Sequence, residues 1–167
     1  ALGVAFVGPS GTVPLGPHRF KWAESVDEDR ERIGSALETV ADRVTVAPGR
    51  IVLIGFSQGA QMAAEIAAHH PNEFAGAIVM SPGTLSQLAL RDIRVALDDR
   101  RFVVVVGSDE NPGNVELAAL DARQLRAAHA EVVHKAYAGM QTHAFPPDYE
   151  EALPRWVRFV LKTETKR

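Results

Sequence analysis

The chain contains no cysteine. That excludes disulfides, a thiolate nucleophile and every cysteine-based metal site, while leaving the compartment open. No apolar run approaches the length needed to span a bilayer. No basic stretch is dense enough to track phosphates, and the formal net charge of -3 is spread over mixed acids and bases, which argues against a nucleic-acid partner. A secretory leader is also missing from view, since "ALGVAFVGPSG" has neither a charged region nor an initiating Met. With no leader in view, the expectation is a cytoplasmic setting. The chain opens inside what reads as a strand.

What is present suffices for one folded unit. At 167 residues and 46% hydrophobic content, residues 1–167 read as a single domain with a substantial core. Apolar patterns alternate between the two regular periods. Ala1 to Val7 reads as a short buried strand, ended by Gly8-Pro9-Ser10-Gly11. Ser25-Val26-Asp27-Glu28 has the form of a capping box, and Val26, Ile33, Leu37, Val40 and Val44 follow at helical spacing. A strand from Ile51 to Ile54 precedes a helix whose Ala60, Ala63, Ala64, Ala67 and Ala68 form one small-residue face. Then come a strand at Ala77 to Met80, a weaker helix near Leu85 to Leu97, and the uncharged β-branched run of "RFVVVV". A helix over Val115 to Ala130 and an edge strand over Glu131 to Tyr137 follow. A closing helix carries Leu153, Trp156, Val157 and Val160, with Pro154 expected in its first turn. Such alternation predicts an α/β fold, a mainly parallel sheet covered by helices on both faces. In such sheets function collects in loops at the C-terminal strand ends.

One of those loops carries Gly55-Phe56-Ser57-Gln58-Gly59, a G-x-S-x-G pattern between a hydrophobic strand and an amphipathic helix. The glycines let the backbone double back without a Cβ clash, so Ser57 would project from a strained turn as a nucleophile. The helix start beyond it offers free N–H groups, Gln58's first, to a developing oxyanion. A serine needs a base. His69 and His70 end a helix, His129 and His134 read as solvated, and His18 lies in the long first loop. His143 stands in "GMQTHAFPPD", between the last strand and the last helix, where functional loops gather. The loop after "RFVVVV" supplies Asp109 and Glu110, either of which could orient the imidazole. The order Ser, acid, His is that of α/β-hydrolases.

"RIVLIGFSQGAQMA", "GSDENPGN" and "AGMQTHAFPPD" resemble the phospholipase/carboxylesterase group of α/β-hydrolases, which includes acyl-protein thioesterase-like esterases. The likeness covers most of the chain. It implies a three-layer α/β-hydrolase sandwich, Ser57 as nucleophile, His143 as base and the acid on the Asp109 loop. It also implies a cleft bordered by the first loop, with Trp22 as a wall. Between the two acids Asp109 is favoured, because Asp is the usual residue and its short side chain has less rotamer freedom to lose. Phe56, Met140 and Phe145, together with Pro82 and Leu85, are the further expected pocket walls. Ala60 stands where the family often has a third glycine. Members of the group also carry more chain upstream, including a strand whose loop donates an oxyanion-hole N–H. The expectation is therefore that the sequence is a fragment, or one half of an assembled sheet. Alternatively the first strand moves into the gap, and Gly8 or Ser10 supplies the second donor.

The implied activity is hydrolysis of a small-molecule carboxylic ester or thioester through an acyl-enzyme, with no metal and no cofactor. A non-catalytic hydrolase-like binding module is the rival from another class. Polyester- or feruloyl-type esterases and dienelactone-hydrolase relatives are nearer rivals, the last typically with a cysteine that this chain lacks. Oligomeric state stays open between a monomer and a homodimer.

Overall fold

The computed structural model describes residues 4–47, 49–83, 90 and 93–163. The first element is one the sequence reading took for loop: β1 (Val13–Gly16) and β2 (Arg19–Lys21) pair antiparallel as a small hairpin. Helix α1 (Val26–Glu38) follows, with the Ser25 hydroxyl accepting from the Glu28 N–H at 3.5 Å. It stops short of Val40 and Val44, which continue in turns and irregular chain.

The main sheet is built from β3 (Ile51–Phe56), β4 (Phe74–Met80), β5 (Arg101–Gly107) and β6 (Glu131–Tyr137), in that order and all parallel. Between the strands run α2 (Gln58–His69) and α3 (Pro112–Ala127), and α4 (Tyr149–Val160) closes the fold. β5 shows why the pattern works. Phe102, Val104 and Val106 face the layer of α1, α2 and α3, whereas Val103 and Val105 face α4 beside Trp156, Val157 and Val160. With both faces covered, the strand must be apolar throughout. The alanine face of α2 is buried as expected, so that this helix approaches the sheet closely. Gly76, at a register shift in β4, has φ of +148°, and a Cβ there would stand 1.8 Å from the Arg101 carbonyl oxygen.

Three expectations need correcting. The described part of the first expected strand, Val4 to Val7, forms no strand, because no ladder partner engages it. Its Phe6 is exposed. The closing helix begins at Tyr149, so Pro154 lies inside it rather than in its first turn. The helix expected near Leu85 falls largely outside the described residues, and Ile93 to Leu97 carry no helix.

β3 ends the sheet order, and its outer edge is not paired among the described residues. A cavity of about 680 Å³ borders that edge, walled by Phe6, Leu37, Val40, Leu53, Met62 and Leu161 among others. Gly8 also borders this cavity, without strand pairing. Ser10 is tied to α1 instead, its carbonyl and hydroxyl oxygens accepting from Arg32 at 3.2 and 3.1 Å.

Candidate active site

Ser57 sits at the hinge between β3 and α2 with φ of 56° and ψ of -126°, a strained conformation for a residue with a side chain. What makes it possible is Gly55: a Cβ there would lie 2.0 Å from the Gly59 carbonyl oxygen, so strand and helix start pass closer than any other residue allows. The turn is fastened through the Ser57 backbone. Its N–H donates to Met80 at 3.1 Å, and its carbonyl accepts from Gly83 at 3.2 Å and from Ala60 at 3.0 Å. The hydroxyl does not cap α2, and among the described residues it makes no hydrogen bond. It is left available for chemistry.

The side chain of Gln58 reaches away to the loop after β2. It accepts from the Trp22 N–H at 3.0 Å, donates to the Trp22 carbonyl at 3.3 Å and donates to Glu24 Oε1 at 2.8 Å. This places the Trp22 indole over the helix start, with Nε1 3.3 Å from where a Cβ on Gly59 would be. Asp29, wholly buried, anchors the same loop by accepting from Thr12, Ala23 and Glu24 at 3.0–3.1 Å. Sequence reasoning missed both clamps, because a glutamine after the elbow and an acid in a first helical turn have ordinary surface explanations.

On the other side stands His143. Its ring packs on Phe56, the residue before Ser57, with centroids 4.6 Å apart. Phe145 packs on the same ring at 4.8 Å and on Tyr149 at 5.0 Å. Met140, in contrast, closes against Gly107, where a Cβ would be 2.4 Å from its carbonyl oxygen. Of the expected pocket residues, Phe56 thus packs on His143 and Phe145 on Phe56, Trp22 stands across the elbow, and Met140 packs behind the acid loop. Pro82 is buried beyond the end of β4, and Leu85 lies outside the described residues.

The acid that meets His143 is Glu110, not Asp109. His143 Nδ1 is hydrogen-bonded to Glu110 Oε1. Asp109 is exposed at the apex of the turn, where its carboxylate accepts from the Ser108 hydroxyl at 2.9 Å. The reason is the phase of the turn. The Asp109 N–H is drawn to the Met140 carbonyl at 3.2 Å, and the chain folds back only at Glu110, whose N–H meets the Gly107 carbonyl at 3.4 Å. The Glu110 carboxylate then also accepts from Ser81 Oγ at 2.9 Å, Asn114 Nδ2 at 2.8 Å and the Gly107 N–H at 3.4 Å. Burial pushes this carboxyl up, but its donors, Asn114 first, outweigh burial and hold it below the ordinary glutamate value.

Among the other histidines, His18 occupies the hairpin turn and His129 pairs with Asp98 at 3.3 Å, both exposed. Among the described residues, no cluster of three or more His, Cys, Asp or Glu side chains is placed to hold a metal ion. No helix among them is long and apolar enough to cross a membrane.

The sequence pattern of the dienelactone hydrolase family matches residues 18–161. Solved structures of similar fold include the carboxylesterase of Bacillus cereus, 19% identical with a TM-score of 0.68 over 90% of this chain and 73% of that one. The carboxylesterase of Mesorhizobium loti is 18% identical with a TM-score of 0.66, covering 89% of this chain and 72% of that one. A phospholipase/carboxylesterase of Dyadobacter fermentans is 18% identical with a TM-score of 0.59, covering 81% and 64%. At these identities the likeness is one of fold. Among curated proteins, the chloroplastic protein PHYLLO of Arabidopsis thaliana is 36% identical over 78 residues, 46% of this chain and only 4% of that protein's length. The absence of cysteine counts against a dienelactone-hydrolase relative in sequence reasoning, yet it is this family's pattern that matches, with serine at the elbow.

Proposed function

The chain belongs to the dienelactone hydrolase family of α/β-hydrolases, a hydrolase of ester bonds, and we propose that it works as a serine carboxylesterase on a small-molecule ester or thioester. Ser57 Oγ attacks the acyl carbonyl while His143 Nε2 takes its proton. Glu110 accepts the Nδ1–H, fixing the tautomer that leaves Nε2 unprotonated, and balances the imidazolium that forms. The Gln58 N–H, at the positive end of α2, faces the developing oxyanion together with a second donor. An acyl-enzyme results, and water activated by His143 releases the acid. Phe145 and Trp22 flank the acyl and leaving groups from opposite sides of the elbow.

The observation that carries this reading is the Glu110–His143 pair seated on Phe56, one residue from a strained and uncapped Ser57. A structural serine would normally cap its helix, and a structural acid–histidine pair has no reason to stand at this turn. The Ser57–His143 hydrogen bond forms in this reading only with substrate in place, as catalytic contacts often do. A fluorophosphonate probe tests it: wild type should be labelled and Ser57→Ala should not, and labelling that survives the substitution overturns the assignment. One observation favours the second reading, a non-catalytic module. Among the described residues no strand lies beside the outer edge of β3, so no neighbouring strand end presents a second oxyanion donor next to the elbow. Absence of Ser57-dependent hydrolysis of p-nitrophenyl acetate and butyrate would decide for it.

A further inference from the structure

Glu110 is an unusual choice for its place because glutamate has one more torsion than aspartate, and each free torsion blurs the position of the carboxylate. An ionised carboxylate offers about four acceptor sites, and here each oxygen takes two donors. Oε2 is held by Ser81 Oγ and the Gly107 N–H, both at ends of central strands. Oε1, the oxygen that meets His143, is held besides by Asn114 Nδ2 alone. Asn114 comes from the first turn of α3, and its N–H is already used by the Asn111 carbonyl at 2.9 Å.

The orientation of the Asn114 amide follows from its partner. A carboxylate only accepts, so Nδ2 must face Glu110. The same Nδ2 lies 3.3 Å from His143 Nδ1. With Nδ1–H already donating to Glu110, that approach is two donors converging on one oxygen. Oδ1 then turns towards Gly83, where a Cβ would lie 3.3 Å from it and 3.7 Å from Ser57 Oγ. The amide therefore spans from the acid to the side of the nucleophile.

We infer that Asn114 is a positioning residue: its amide fixes the Glu110 oxygen that orients His143, and does for a glutamate what a shorter side chain gives an aspartate. The catalytic consequence rests on the proposed hydrolase reading, whereas the structural half does not.

Two variants, Asn114→Ala and the size-matched Asn114→Asp, test it on the intact chain, with thermal melting to verify folding. The activity-independent readout is the low-field proton NMR resonance of the His143 Nδ1–H, assigned by its loss in His143→Ala. In Asn114→Ala this resonance should shift or broaden. On p-nitrophenyl butyrate, kcat should fall about 10- to 100-fold, the scale of one hydrogen bond to a charged group, with KM little changed. In Asn114→Asp a second carboxylate favours the imidazolium, so the acid limb of the kcat/KM profile should move to higher pH. A folded Asn114→Ala with an unchanged resonance overturns the inference, as does an Asn114→Asp profile that only scales down with no shift of its limb. If wild type shows no Ser57-dependent turnover, the hydrolase reading falls, and the resonance alone still decides the role of Asn114.

Discussion

Glu110 and His143 form a pair of opposite exposure: the carboxylate side chain is 1% accessible and the imidazole 38%. The carboxylate lies inside the protein, whereas the imidazole is partly open to solvent. Proton traffic can then reach the imidazole without passing the acid.

This arrangement ranks the two neighbouring acids. Glu110→Gln should lower kcat about 10³- to 10⁴-fold, because the amide can stabilise the wrong tautomer and cannot balance the imidazolium. Asp109→Asn, at an exposed turn, should leave kcat nearly unchanged. The Glu110 carboxyl is held below its ordinary value, so the stability it contributes is present above the unfolded-state value of about 4.3. That stability is lost as pH falls through the folded-state value. Steady-state kinetics and acid titration of the melting temperature check both statements.

A buried acid elsewhere has the opposite sign. Asp121 of α3 is fully buried facing α2, and burial pushes its carboxyl up to about 7, with Glu65 adding repulsion and the nearby Gln61 amide offsetting only part of it. Burial first, and Glu24 beside it, push Glu65 up to about 7 as well. Raised values mean that stability is full below the unfolded-state values of about 4. It is lost as pH rises through about 7. Asp121→Asn should gain on the order of 2 kcal/mol over wild type at pH 8, since one pK unit is about 1.4 kcal/mol, and little or nothing at pH 4. Urea titrations at the two pH values measure it.

Two glycines near the nucleophile should respond differently. Gly55→Ala puts a Cβ 2.0 Å from a backbone oxygen and should cost about 3 kcal/mol or more, with activity lost as the turn opens. Gly83→Ala meets only side-chain atoms, Asn114 Oδ1 at 3.3 Å and Ser57 Oγ at 3.7 Å. It should change stability by less than about 1 kcal/mol while slowing turnover, because it crowds the space between Asn114 and Ser57. Melting curves and kcat for each variant separate the cases.

Gln58→Ala keeps the proposed backbone donor but frees Trp22. KM should rise more than kcat falls, and the tryptophan emission should shift to the red as the indole loosens. Asp29→Ala removes the acceptor of three hydrogen bonds from a fully buried site and should destabilise by about 2–4 kcal/mol. Fluorescence and denaturation together distinguish a loosened wall from a weakened fold.

The parts legible in the sequence were those fixed by local rules. "RFVVVV" could only be a strand covered on both faces, and the alanines of α2 could only serve close packing. The elbow followed from its glycines between a strand and a helix. What escaped depended on partners far along the chain. Val4 and Phe6 have the apolar spacing of a strand, but a strand exists only beside a neighbour. Whether Asp109 or Glu110 turns inward depends on a hydrogen bond to the Met140 carbonyl, some thirty positions later. Asn114 reads as a polar residue in a helical first turn, and nothing local hints that its amide faces a buried carboxylate.

The four groups that hold Glu110 come from the end of β4, the end of β5, the first turn of α3 and the loop before α4. No supersecondary unit contains them all. A partly folded chain with native helices and a native β4–β5 pair would still lack the acid's setting, so the site doubles as a gauge of complete folding. Under mild denaturation its disassembly precedes or accompanies the last cooperative step of unfolding, and recovery of the pair on refolding marks the moment when the strand ends, α3 and the final loop have all docked.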